Sequence, residues 1–170
     1  IELGLGTENE KFDEYFRFKR EFLMINGHSN VGKTTFTLWL MVAASMLHGW
    51  KWLVYSAENP TWANKMKVMQ FCMDMPIKRM NHKELTTAHD WVNKHFTFID
   101  NHKNYSYSDI LVFAEKMLKY EGLDGVLIDP YNALRIDMSA QRGISTHEYH
   151  YEAASEFLTI SVKNLSLIHI

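Results

Sequence analysis

Gly27-His28-Ser29-Asn30-Val31-Gly32-Lys33-Thr34 satisfies the pattern G-x-x-x-x-G-K-[ST] at each fixed position. Before it, Phe22-Leu23-Met24-Ile25-Asn26 is an apolar run of strand length; after it, Thr35 to His48 is an apolar segment of helix length. Strand, glycine loop and helix in that order give the pattern a mechanism. Glycines let backbone N–H groups curl round a phosphate, and the helix N-terminus adds the positive end of its dipole. In that setting residues Gly27, His28, Ser29, Asn30, Val31, Gly32, Lys33, Thr34 and Thr35 form a nucleotide-binding set. Lys33 reaches the β- and γ-phosphates, and the Thr34 hydroxyl holds Mg²⁺. The alternative is a glycine turn that happens to precede Lys-Thr. At average residue usage the four fixed positions recur by chance in roughly one chain of this length in a few hundred. The flanking strand and helix therefore favour a site for ATP, or another nucleoside triphosphate, with Mg²⁺.

Outward from the loop, helical and extended segments alternate. Phe12 to Lys19 fits neither period cleanly and reads as a lead-in packed beside the first strand. The helix behind Lys33 is apolar nearly all round, which predicts burial on most sides, and Gly49 ends it. Trp50 to Ala57 is a second strand, closed by Glu58-Asn59-Pro60; Trp50 and Trp52 read as packing. Thr61 to Met73 follows as a helix with Trp62, Met66, Met69 and Met73 on its inner face, and Cys72 reads as core. Lys78, Arg79 and Lys83 read as solvated loop. Thr86 to His95 is a Thr-capped helix, Phe96 to Ile99 a third strand, and Ser108 caps a helix that Gly122 ends. Gly125 to Asp129 is a fourth strand that Pro130 blocks; a polar loop from Asn132 to Thr146 and a last helix, His147 to about Val162, follow. Strands apolar on both faces and separated by helices imply an α/β fold, mainly a parallel sheet covered by helices on both sides.

The chain has 170 residues, 46% of them hydrophobic and 22% charged, an ordinary globular composition for one domain. A net charge of −2 means that any nucleic-acid contact comes from a local patch. A single cysteine excludes an internal disulfide and fits a reducing compartment. No run of 18 uncharged apolar residues is present, so no membrane partner is expected and the cytoplasm is the expected location. The organisation expected is a linker or lead-in over 1–21, a core over 22–164 and a non-native tail over 165–170. Leu165-Ser166-Leu167-Ile168-His169-Ile170 is what a sequencing-library transposon end reads as when translated; a genuine short strand is the other reading. Mapping raw reads across these codons separates the two.

A metal site of this kind needs a carboxylate at the carboxyl end of a parallel strand, and Val126-Leu127-Ile128-Asp129 supplies Asp129. Hydrolysis needs a base for the attacking water, and Glu58, just past the second strand, opens onto the same sheet edge. Taken together, Gly27 to Thr34, Tyr55-Ser56-Ala57-Glu58-Asn59 and Leu127-Ile128-Asp129-Pro130-Tyr131-Asn132 resemble the RecA-like motor domain of hexameric replicative DNA helicases. Within that family the likeness is to the phage and Twinkle-like primase-helicases, related to the DnaB type. It runs from about Gly4 to Asn164.

The resemblance implies a RecA-like P-loop NTPase, incomplete at its C-terminal end. It makes Glu58 the catalytic glutamate beside Lys33, and Asp129 the Mg²⁺-linked aspartate. It also implies single-stranded DNA as partner, a homo-hexamer, a fused or partner primase, and host cytoplasm for a phage-encoded protein. Asn132 departs from the Gln that DnaB-type chains often carry. The family's sensor strand, later DNA-binding loop and arginine finger have no counterpart here, which implies a fragment that binds ATP–Mg²⁺ weakly and barely turns it over. Arg135 and Arg142 are the basic side chains of the loop expected to face DNA. His147 and His150, spaced i, i+3, read as solvated or DNA-facing. A recombinase- or clock-type ring ATPase, a small-molecule kinase and a non-catalytic nucleotide-binding module are the competing readings.

Overall fold

The computed structural model describes residues 4–19, 21–103, 105–130, 155 and 166–169. The elements are α1 (Glu10–Asp13), β1 (Phe22–Met24), α2 (Lys33–His48), β2 (Trp52–Ser56), α3 (Thr61–Met73), α4 (His82–His95), β3 (Phe96–Phe98), α5 (Tyr107–Tyr120), β4 (Gly125–Asp129) and β5 (Ser166–His169). The polar loop from Asn132, the last helix, Arg135, Arg142, His147 and His150 lie outside the described residues.

The strands form one five-stranded sheet in the order β1-β5-β4-β2-β3, and each pairing is parallel. All five residues of β2 and all five of β4 are buried, as continuous apolar runs in a sheet covered on both sides require. Alternation along those strands sorts the core into two layers. Trp52, Val54 and Leu127 join α2, Val68 of α3 and Val92 of α4 on one face. Leu53, Tyr55, Val126 and Ile128 meet Ile110, Leu111 and Ala114 of α5 on the other. Trp50 and Trp52 are core, as expected, 7% and 1% exposed. The indole N–H of Trp52 donates to the Met41 carbonyl and to Ser45 Oγ, 3.1 Å each, so its burial leaves no polar atom stranded.

Several local expectations need correction. α4 begins at His82 rather than Thr86, because Asn81 and Glu84 form a reciprocal capping box. α5 begins at Tyr107, capped by Ser106 and Asp109 rather than by Ser108. The inner face of α3 follows the Trp and Met stripe only in part: Met69 packs against the core, but Trp62 is 66% and Met66 39% exposed, while Asn64 and Val68 are buried. The polar residue at 64 hides the true i, i+4 stripe from a hydrophobicity reading. α2 is buried on one broad face only, since Phe36, Trp39 and Met46 remain exposed. Phe12 of α1 packs edge-on against Phe36 and Trp39. The lead-in thus rests on α2 as well as entering the cluster that Leu23 reaches from β1. Cys72 is half-buried and its Sγ donates to the Met69 carbonyl; burial pushes the thiol up to about 11, which suits an unreactive packing role. Lys78, Arg79 and Lys83 are exposed.

Gly49 ends α2 as the sequence predicts, at φ 72°, with its N–H on Ser45. Among the described residues no helix is long and apolar enough to cross a membrane.

β5 falls inside 165–170, the segment for which a short strand is the other reading. It lies between β1 and β4, with Ile168 3% exposed. Among the described strands it is the sole neighbour of β1. Ile168→Ala is therefore expected to cost about 2–5 kcal/mol in urea unfolding, the range for a buried Ile truncation. Deleting residues 166–170 should cost more. An unchanged urea midpoint for both variants would remove β5 from the sheet.

Candidate functional site

Three strand ends converge at one edge of the sheet. β1 runs into the loop that ends at Gly32, the residue preceding α2. β2 and β4 are in register with Ser56 opposite Asp129, and the Ala57 N–H donates to the Asp129 carbonyl at 2.8 Å beyond the last paired residues. The chain leaving β2 is thereby held beside the end of β4 up to the residue before Glu58. A cavity of about 640 Å³ opens there, at the carboxyl ends of the strands, where ligands bind in open parallel sheets. Its lining includes Ser29, Asn30 and Gly32 of the loop, Lys33 to Thr35 at the start of α2, then Glu58 and Asp129.

The central contact joins residues 95 apart in sequence: Thr34 Oγ1 donates to Asp129 Oδ2 at 2.8 Å. Ser56 Oγ approaches the same oxygen at 3.5 Å and accepts from the Asn59 N–H at 3.3 Å. Asp129 is 2% exposed. Burial pushes its carboxyl above the usual carboxylate range, the Thr34 hydrogen bond pulls it back, and the charge of Glu58 raises it again. Glu58 itself is exposed at the cavity.

Lys33 lies folded over its own loop, Nζ donating to the carbonyls of Gly27 and His28 at 2.9 Å each. An ammonium parked on two neutral carbonyls is free to exchange them for a stronger anionic acceptor. The loop uses left-handed backbone at Asn30 (φ 63°) and Gly32 (φ 93°). A Cβ at Gly32 would meet nothing within 4 Å, so alanine there is opposed by backbone strain alone, about 1–2 kcal/mol.

The structure thus brings together Lys33, Thr34, Glu58 and Asp129. Gly27, Ser29, Asn30, Gly32 and Thr35 line the same cavity, whereas His28 and Val31 do not. Arg135 and Arg142 lie outside the described residues. The sequence reading missed three contributors: Ser56 as a hydroxyl on Asp129, the backbone of Asn59, and Lys67 of α3, which also lines the cavity. Lys67 shares the helical face of Asn64, Val68 and Phe71, and a cation at an inward position is the signal that could have found it. Among the described residues no group of three or more His, Cys, Asp or Glu side chains could hold a metal. A hard cation here would depend on the Thr34 hydroxyl, the Asp129 carboxylate and oxygens of a ligand or water, a donor set that suits Mg²⁺. No protein-family model matches the chain, and no curated protein is similar to it.

A carboxyl whose folded pKa is raised binds its proton more tightly in the folded chain than in the unfolded one. It favours folding below its unfolded pKa, and the benefit is lost as pH rises through the folded value. Ionised Asp129 therefore costs the ligand-free chain stability at neutral pH. Asp129→Asn keeps an acceptor for Thr34 and removes the charge. Its melting temperature is expected to exceed that of the wild type at pH 7, with the gap narrowing toward pH 4 in thermal melts. A gap that widens on acidification would contradict this assignment.

Proposed function

We propose that this chain is the nucleotide-binding core of a RecA-like P-loop ATPase of the replicative DNA helicase type. In this reading ATP–Mg²⁺ hydrolysis is coupled to translocation on single-stranded DNA and duplex unwinding. The observation that carries the reading is the 2.8 Å contact between Thr34 and Asp129, made at the strand ends beside Lys33 and Glu58. A fortuitous glycine turn before Lys-Thr has no reason to set its Thr against a buried carboxylate from a distant strand.

Each side chain then has a task. The loop N–H groups and the start of α2 receive the phosphates. Lys33 leaves the Gly27 and His28 carbonyls for the β- and γ-phosphate oxygens. Thr34 and Asp129, whose side-chain oxygens are already 2.8 Å apart, would be the residues that hold Mg²⁺. When bound, the metal supplies positive charge that neutralises the developing charge on the phosphate oxygens. Glu58 orients a water in line with the γ-phosphate and takes its proton as the water oxygen bonds to phosphorus. The bond from phosphorus to the bridging oxygen breaks, releasing ADP and phosphate.

The helicase part of the proposal is supported by the Ser-Ala-Glu and Asp-Pro-Tyr-Asn sequences at the ends of β2 and β4. With it come a homo-hexamer, a primase partner and phosphate contacts from Arg135 and Arg142, all as parts of the same proposal.

Lys33→Ala is expected to abolish nucleotide binding in calorimetry, because the phosphates lose their main cation. Unchanged affinity would remove the basis of the proposal. Glu58→Gln keeps shape and hydrogen bonding but not basicity, so ATP should still bind while turnover falls by about 10²-fold or more. In the assembled hexamer, hydrolysis that rises with added single-stranded DNA supports the motor reading. Phosphoryl transfer to a small molecule, indifferent to DNA, would point to a kinase instead.

A further inference from the structure

The reaction described above makes no use of Lys67, the second ammonium on the cavity. It stands on α3, which starts two residues after Asn59, and its Nζ lies 3.5 Å from Thr35 Oγ1. Successive helix residues are turned by about 100°. Thr34 and Thr35 therefore look to different flanks of the first turn of α2: Thr34 is bonded to Asp129, and Thr35 faces Lys67. The start of the helix has a carboxylate on one flank and an ammonium on the other. Among the described residues no carboxylate forms an ion pair with Lys67, and its one hydrogen-bond partner is a neutral hydroxyl at the long limit of such a contact. A cation held at a cavity by so weak a protein contact is available to an anion.

We propose that Lys67 is a second phosphate-binding cation, gripping the phosphate chain of a nucleoside di- or triphosphate from the Thr35 flank. This rests on the nucleotide-site reading above. The metal belongs to the Thr34 and Asp129 flank, so Lys67 serves phosphate oxygens that the metal leaves free, and its contribution does not require Mg²⁺. One charge-assisted contact that is partly open to water is worth about 5- to 10-fold in affinity.

The test is calorimetric titration of the 170-residue chain with ADP, in Mg²⁺ and in EDTA, together with thermal melts. Lys67→Met, which keeps the apolar stem, is expected to weaken ADP about 5- to 10-fold in both buffers with an unchanged melting temperature. Lys67→Arg, which keeps the charge, should bind within about twofold of wild type. Unchanged affinity in Lys67→Met alongside a large loss in Lys33→Ala would overturn the role of Lys67 and leave the nucleotide site standing. Equal losses in the Met and Arg variants, with lowered melting temperatures, would make Lys67 a tie between α2 and α3 and overturn it too. Absence of binding by the wild type would overturn both readings.

Discussion

The parallel pairing of β2 with β4 is the constraint from which the rest follows. Residues 52–56 lie against 125–129 over five matched positions, each of them buried, so neither strand can slip without exposing its side chains. That register sets Ser56 beside Asp129 and carries the chain past Ala57 to Glu58 at the same edge. A slip of one residue would turn Asp129 to the other face of the sheet and separate it from Thr34. The placement of the side chains that line the cavity is thus inherited from the packing of Trp52, Val54 and Leu127 on one face and Leu53, Val126 and Ile128 on the other.

The site is also a compromise within one small volume. Asp129 is buried, shares a neighbourhood with Glu58, and is relieved by hydroxyls rather than by a cation. The ammonium groups that line the cavity, on Lys33 and Lys67, are turned to carbonyls and to a hydroxyl. Charges of both signs therefore face one cavity without neutralising one another. Ligands of either sign would meet side chains that, among the described residues, no internal ion pair already occupies.

The fourth strand was legible because a short apolar run bounded by Gly and by Asp-Pro leaves few alternatives, and Gly125 to Asp129 is observed with those bounds; the runs read as 22–26, 50–57 and 96–99 are observed shorter, as Phe22–Met24, Trp52–Ser56 and Phe96–Phe98. The Thr34 and Asp129 partnership was legible because the chemistry expected of the G-x-x-x-x-G-K-[ST] pattern calls for a carboxylate at a strand end, and one strand offered it. Helix starts were less legible where two candidate caps compete, as Asn81 does with Thr86 and Ser106 with Ser108, since only reciprocal contacts decide between them. The α3 face was partly misread because burial there follows Asn64 and Val68 rather than the largest apolar side chains. Lys67 escaped for the same reason: its role depends on which way α3 is rolled, a property of packing rather than of composition.

The position of β5 has a consequence for how the chain is made. The strand that carries the glycine loop pairs, among the described strands, with β5 alone, and Phe22 meets Leu167, 145 positions further along the chain. β2, β3 and β4 can join one another as soon as residue 129 is free, but β1 has to wait. At about 5–20 residues per second, synthesis separates these events by a few seconds, and closing so long a loop adds its own entropic cost. A nascent chain would thus hold β2, β3 and β4 paired with its first strand still undocked. The loop and Asp129 would meet only after β5 had been threaded between them.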